Sequence, residues 1–181
     1  MGVQPHQRTS GELQYLGCEL AVFVPFTTTA TLLRWYCGAA VSARAVWCWG
    51  QVAGKRAMKR LETHLEGVAR GHGPTPEALE ADLAALPLAL GADGVMVLFR
   101  PTAGQATGKT RWREIKVGVL ARLGRHHTRT GRVVVKLCHR RLVAVLGDIE
   151  ALKPRLWLEA LRQGIAQAPQ VVWVSDSRRG L

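Results

Sequence analysis

Thirteen Asp and Glu stand against twenty-five Lys and Arg in this chain of 181 residues. Carboxylates are therefore scarce, and two of them sit where chemistry could be done. Asp93 lies in Ala92-Asp93-Gly94, at the opening of an apolar run, and Asp176 lies in Val174-Ser175-Asp176-Ser177, at the close of another. In a basic protein, two converging carboxylates suit a hard divalent cation, because Mg²⁺ takes a few carboxylate oxygens together with phosphate and water. Two such ions can clamp the attacking and leaving oxygens of a phosphodiester. Both residues also have plainer uses: an Asp-Gly pair makes a tight turn, and an Asp after a strand caps the next helix. Spacing alone favours the plainer uses.

Other groups carry less. Ala103-x-x-x-x-Gly108-Lys109-Thr110 fits a relaxed phosphate-loop pattern. Such a loop must end on a helix N-terminus, and the residues after Thr110 alternate like a strand, so the segment reads as a strand-to-strand loop. His126 and His127 fall in a basic loop with nothing to pair them. Cys18, Cys37, Cys48 and Cys138 form no CxxC pair and share no metal-ligand spacing with a histidine, which argues against zinc. With no secretory signal in the sequence, they read as small apolar residues of a reducing cytosol. The longest apolar run, residues 84–99, is broken by Pro87 and Asp93 and is too short to cross a bilayer.

The charge is unevenly placed. Residues 1–99 carry eight basic and eight acidic side chains, whereas residues 100–181 carry seventeen and five, which accounts for the whole net charge of +12. No acid occurs between Ile115 and Gly147, a stretch holding Lys116, Arg122, Arg125, Arg129, Arg132, Lys136, Arg140 and Arg141. A one-signed field of this kind favours a polyanion, and nucleic acid before a membrane.

The elements that must position these residues divide in two. After Pro25, Thr27 to Thr29 are expected to cap a helix carrying Leu32, Leu33 and Tyr36, which Gly38 stops. Ser42 then caps a second helix, with Arg44, Trp47, Gln51, Lys55 and Arg56 exposed at helical spacings and the helix ending near Gly67. Helix, Gly-containing turn and a capped helix with a basic and polar face is the layout of a helix-turn-helix, in which the second helix enters the major groove. Ordinary helical hairpins share that layout. The cluster Gly71-His72-Gly73-Pro74-Thr75-Pro76 marks a boundary, followed by a helix from Thr75 with Leu79, Leu83 and Leu86 on one side. Strands are then expected at residues 95–99, 114–123 and 132–146, an amphipathic helix at 149–167 using Leu152, Leu156, Leu161 and Ile165, and a short apolar strand at 171–174. Three strands, a helix and a buried strand predict an α/β fold with a mixed sheet. If the last strand lies parallel beside the first, Asp93 and Asp176 approach one another.

At this point the sequence resembles a known family. Arg113-Glu114-Ile115-Lys116-Val117-Gly118, Val143-Ala144-Val145-Leu146-Gly147-Asp148, the Ser175-Asp176-Ser177 strand end and the Asp93-Gly94 pair are similar to the catalytic domain of bacterial insertion-sequence DDE transposases of the ISKra type. Val24-Pro25-Phe26, Gly38 and Val41-Ser42-Ala43-Arg44-Ala45-Val46-Trp47 are similar to that family's helix-turn-helix region. The resemblance runs from about Leu20 to the end; its motifs are short, and their order and spacing agree. It implies a ribonuclease H-like fold and three carboxylates that bind Mg²⁺ or Mn²⁺. It implies cleavage and joining of double-stranded DNA at transposon ends, in the cytoplasm at the nucleoid, with room for a homo-oligomer. Asp93 carries over as the first acid and Asp176 as the second.

The sequence departs from the pattern where Ser177 replaces the usual Gly. It stops at Leu181 before a third acid, and it lacks a preceding, often cysteine-containing region, so the expectation is a fragment cut at both ends and inactive. The organisation expected is a helical, helix-turn-helix-like DNA-binding segment at 1–70, a linker helix at 71–88 and a partial ribonuclease H-like domain at 89–181. Arg44, Trp47, Gln51, Lys55 and Arg56 on the second helix, with Lys116, Arg132, Lys136, Arg140 and Arg141 on the strands, are the expected DNA contacts. The alternative is a non-catalytic basic DNA-binding module.

Overall fold

The computed structural model describes residues 9–99 and 110–175. The chain divides into two compact units, residues 1–63 and 64–181, with the division inside one long helix.

The first unit is helical. Helix α1 (Gly11–Phe23) lies in the segment expected to be helical, although the sequence expectation places no separate helix before Pro25. The structure gives Gly17 a packing reason: a Cβ there would stand 3.0 Å from ring carbons of Trp49, so its absence lets α1 approach that indole. Ser10 caps α1 by accepting from the Leu13 N–H at 3.2 Å. Helix α2 (Phe26–Cys37) starts one residue after Pro25, not at a threonine cap. Proline presets the entry, and Thr27 and Thr29 fall inside the first turn, where Thr29 is fully buried. Gly38 ends α2 in the left-handed region, φ +64°, and its N–H bonds the Arg34 carbonyl. Ser42 opens α3 (Ala43–Ala69) by accepting from the Ala45 N–H at 3.1 Å. Among the described residues of this unit, Leu33 and Val46 are the fully buried apolar side chains.

The second unit is a mixed sheet with one helix. Helix α4 is only Ala81–Ala84, and Thr75 and Pro76 lie in no regular element. The helix expected from Thr75 does not form because the Glu77 backbone N–H donates to the Arg162 carbonyl at 2.7 Å and its carboxylate is held by His139 and Arg141. These contacts hold the segment outside a helix; local propensity is overridden. Strand β1 (Leu88–Phe99) is longer than expected and places Asp93 in its middle, paired with Val117. Strands β2 (Arg111–His127) and β3 (Val133–Leu146) form a long antiparallel hairpin. Helix α5 (Ile149–Arg162) is capped by the Asp148 carboxylate, which accepts from the Ala151 N–H at 3.0 Å. The chain then returns as β4 (Val171–Ser175).

The strand order is β3-β2-β1-β4, with β4 parallel to β1 in the register Leu88↔Val171 to Ala92↔Ser175. Leu152, Leu156, Leu158 and Ala160 of α5 are buried, and Leu156 and Ala160 join a core with Leu88, Leu90 and Leu120. The closest approach is at Gly118, where a Cβ would meet Leu156 Cδ1 at 2.6 Å. Where β2 passes from Leu120 to Arg122, β3 passes from Arg141 to Cys138, so two residues of β3 oppose Ala121 in a bulge. His139, in that bulge, has φ +46°. Among the described residues, no helix is long and apolar enough to cross a membrane.

Candidate functional site

Asp93 is exposed, and one carboxylate oxygen accepts from the next residue's own N–H, Gly94, at 2.7 Å. No tight turn forms there, because Gly94 continues the strand opposite Lys116. Alternation along β1 and the β1–β2 register put Asp93 on the same face as Gly91, Val95 and Val117, while Leu90, Gly118 and Leu120 point to the other face, against α5. The Asp93 face also carries Leu142, Leu146 and Val174, which are 75%, 42% and 59% exposed. Val172, on the same face, is half-buried.

Strand β4 ends beside this position. Ala92, the residue before Asp93, pairs with Ser175, the residue before Asp176 in the sequence. Asp176 itself lies outside the described residues, as do residues 103–109 of the relaxed phosphate-loop pattern. Arg111 opens β2, so the segment after that pattern is a strand and not a helix. Asp93 fits a hard cation as far as its own chemistry goes: it is an exposed carboxylate in no ion pair among the described residues. Among the described residues, no group of three or more His, Cys, Asp or Glu side chains is arranged to hold a metal ion.

The basic residues separate into distinct populations. On α3, Arg44, Trp47, Gln51, Lys55 and Arg56 are all exposed, and Lys59 and Arg60, which the sequence expectation leaves out, extend the row. Gly50 and Gly54 have open space where a Cβ would stand. They form the floor of a shallow groove lined by Gln51, Lys55 and Lys59. On the sheet, Lys116 is half-buried and bonded to Glu114 at 2.8 Å. Arg141 bonds Glu77 at 2.6 Å, and His139 bonds the other oxygen of Glu77 at 2.8 Å. Burial pushes the Glu77 carboxyl up, but hydrogen bonds and charge from His139 and Arg141 outweigh it and hold it below the ordinary value of 4.5.

Arg122 is not a surface cation at all. It is 2% exposed and donates to the carbonyls of Gln163 at 2.5 Å and Leu86 at 2.9 Å, with a longer contact to Ala84. Burial pulls its guanidinium below the ordinary arginine value. Arg132, Lys136 and Arg140 are exposed, as are Arg125 and Arg129. His126 and His127 stand at the end of β2, paired with Val134 and Val133, and not in a loop. The register that places them there is set by the hairpin turn, which residue-type counting does not resolve. No family model, curated protein or solved structure matches the chain.

Proposed function

We propose that this chain is part of a DDE transposase of the ISKra type, with a ribonuclease H-like sheet and helices that bind double-stranded DNA. The observation that carries the reading is the parallel pairing of β4 with β1, which sets the residues just before Asp93 and Asp176 opposite one another. In the proposal, Asp93 and Asp176 hold Mg²⁺ or Mn²⁺, which when bound supplies Lewis-acid stabilisation of the phosphodiester oxygens. Asp93 contributes an oxygen on an open sheet face, so a DNA backbone can reach it. Helix α3 contributes Arg44, Trp47, Gln51, Lys55 and Arg56 to the duplex, and the strands contribute Arg132, Lys136 and Arg140. Asp93 and Asp176 are two of the three carboxylates that the resemblance calls for, and we expect the chain to bind duplex DNA.

Titration of Mn²⁺ into the wild-type chain and into Asp93→Asn tests this. Loss of Mn²⁺ binding in the variant with unchanged duplex affinity supports the reading. Equal Mn²⁺ binding by both chains overturns the role of Asp93.

A second reading is a basic DNA-binding module that uses no metal. It is favoured by the row of exposed Arg44, Lys55, Arg56, Lys59 and Arg60 on α3, which needs no metal to meet a phosphate backbone. It predicts no Mn²⁺ binding by the wild type and weakened duplex binding in Arg44→Glu and Lys55→Glu.

A further inference from the structure

The β2–β3 hairpin outruns the rest of the sheet. The last pairing of β1 with β2 is Leu88↔Arg122, whereas β2 and β3 continue to pair from Leu123↔Leu137 to His127↔Val133. The overhang is a two-stranded ribbon, and its tip is internally braced. The Thr128 N–H bonds the Arg132 carbonyl at 2.9 Å, the Gly131 N–H bonds the Thr128 carbonyl at 2.9 Å, and the Arg132 N–H bonds the Thr128 hydroxyl at 3.1 Å. Gly131 adopts φ +77°, which a side chain would disfavour.

This ribbon carries Arg125, Arg129, Arg132 and Lys136, with His126 and His127 between them, and all six are exposed. None of the six is in an ion pair among the described residues, in contrast to Lys116 and Arg141. Arg125 pairs across the ribbon with Val135 and His127 with Val133, so one face alternates cationic or polar groups with valines that are 69% and 51% exposed.

We propose that this ribbon enters the major groove of B-form DNA, a contact distinct from that of α3. The proposal rests on the duplex-DNA reading above. Dimensions favour it: two strands about 4.8 Å apart fit a groove about 12 Å wide and 8.5 Å deep. The overhang of five residues per strand, at about 3.3 Å each, spans that depth. Charge favours it, because phosphates line both sides of the groove and the ribbon holds four unpaired cations and no acid. The exposed valines suit thymine methyl groups, the apolar feature of that groove. A-form RNA is excluded by shape, since its major groove is too deep and narrow for side chains to read.

The test is fluorescence anisotropy of the full chain with a duplex of about two helical turns across a KCl series. Each phosphate neutralised contributes about 0.9 to the slope of log affinity against log salt. Arg129→Ala/Arg132→Ala, both in the exposed tip, should lower that slope by about two. Lys153→Ala, on α5 and already bonded to Glu150, should leave it unchanged. Circular dichroism of each variant confirms that the fold is retained. An unchanged slope in the double variant, with wild-type DNA binding intact, overturns the proposal and leaves the DNA reading standing. No duplex binding by the wild type overturns both. An equal loss on an A-form RNA duplex or on phosphatidylserine vesicles overturns the groove assignment, because the ribbon would then be a polycation without shape preference.

Discussion

Replacing Arg122 with methionine separates charge that faces solvent from charge that holds the fold. Methionine has a similar reach and no donor. Its introduction leaves the Leu86 and Gln163 carbonyls, now bonded at 2.9 and 2.5 Å, without partners in a site that is 2% exposed. Each orphaned buried acceptor costs about 1–3 kcal/mol. Relief of the guanidinium's own desolvation offsets part of this, since no carboxylate pairs with it. The net expectation is a loss of about 2–4 kcal/mol, a large share of the roughly 5–15 kcal/mol that holds a typical domain. Urea denaturation followed by circular dichroism reads this as a lowered midpoint with an unchanged slope. The same variant should leave the salt dependence of DNA binding untouched, whereas removing an exposed arginine lowers the slope by about 0.9. A stability change within about 0.5 kcal/mol, or a salt-slope change near 0.9, would show that Arg122 does not staple these carbonyls.

Three further perturbations follow from the packing. Gly118→Val drives a side chain into Leu156, whose Cδ1 would lie 2.6 Å from the added Cβ; overpacking should cost about 1–3 kcal/mol or more, read as a lowered melting temperature. Glu77→Gln should lose about 1–2 kcal/mol at neutral pH by weakening the bonds to His139 and Arg141. Because Glu77 is held below its ordinary 4.5, its contribution is present above that value and fades as the pH falls through the lowered one, so the two urea midpoints should converge in acid. Leu142→Lys alters a side chain that is 75% exposed on the face away from α5. Stability should change by less than about 0.5 kcal/mol and light scattering should fall; a loss above about 2 kcal/mol would mean that this face is packed.

Much of the element order was legible because it rests on local chemistry. Gly38 and Ser42 act where their types demand, one as a left-handed stop and the other as a cap. The run of three strands, a helix and an apolar strand follows from valine-rich alternation and the leucine spacing of α5, and the mixed α/β sheet follows from that run. What escaped depends on distant contacts. Gly91, Asp93 and Gly94 look like a turn until β2 pairs with them, which hid the first half of β1. Glu77 lies in a segment with a helix-start signal, but its backbone N–H bonds the Arg162 carbonyl and not its own helix. Arg122 counts as one more positive charge in the sequence, and only the packing of residues 84–86 and Gln163 around it shows that it is withdrawn from solvent. At the candidate site, the type and strand of Asp93 were readable, but its mid-strand position and its face were not.

The pairing of β4 with β1 has a consequence in time as well as in space. The β1–β2–β3 meander closes through hairpins, whereas Leu88 meets Val171 across almost half the chain. Closing so long a loop carries an entropic cost that the local pairings do not, so contacts of this range form late. During synthesis Asp93 would therefore stand on a formed meander before β4 arrives beside it. The edge of β1 meanwhile presents unpaired backbone groups to any other strand. The last pairing to form is thus the one that brings the neighbours of Asp93 and Asp176 together, so changes in β4 should act mainly by speeding unfolding and leave the refolding rate nearly unchanged.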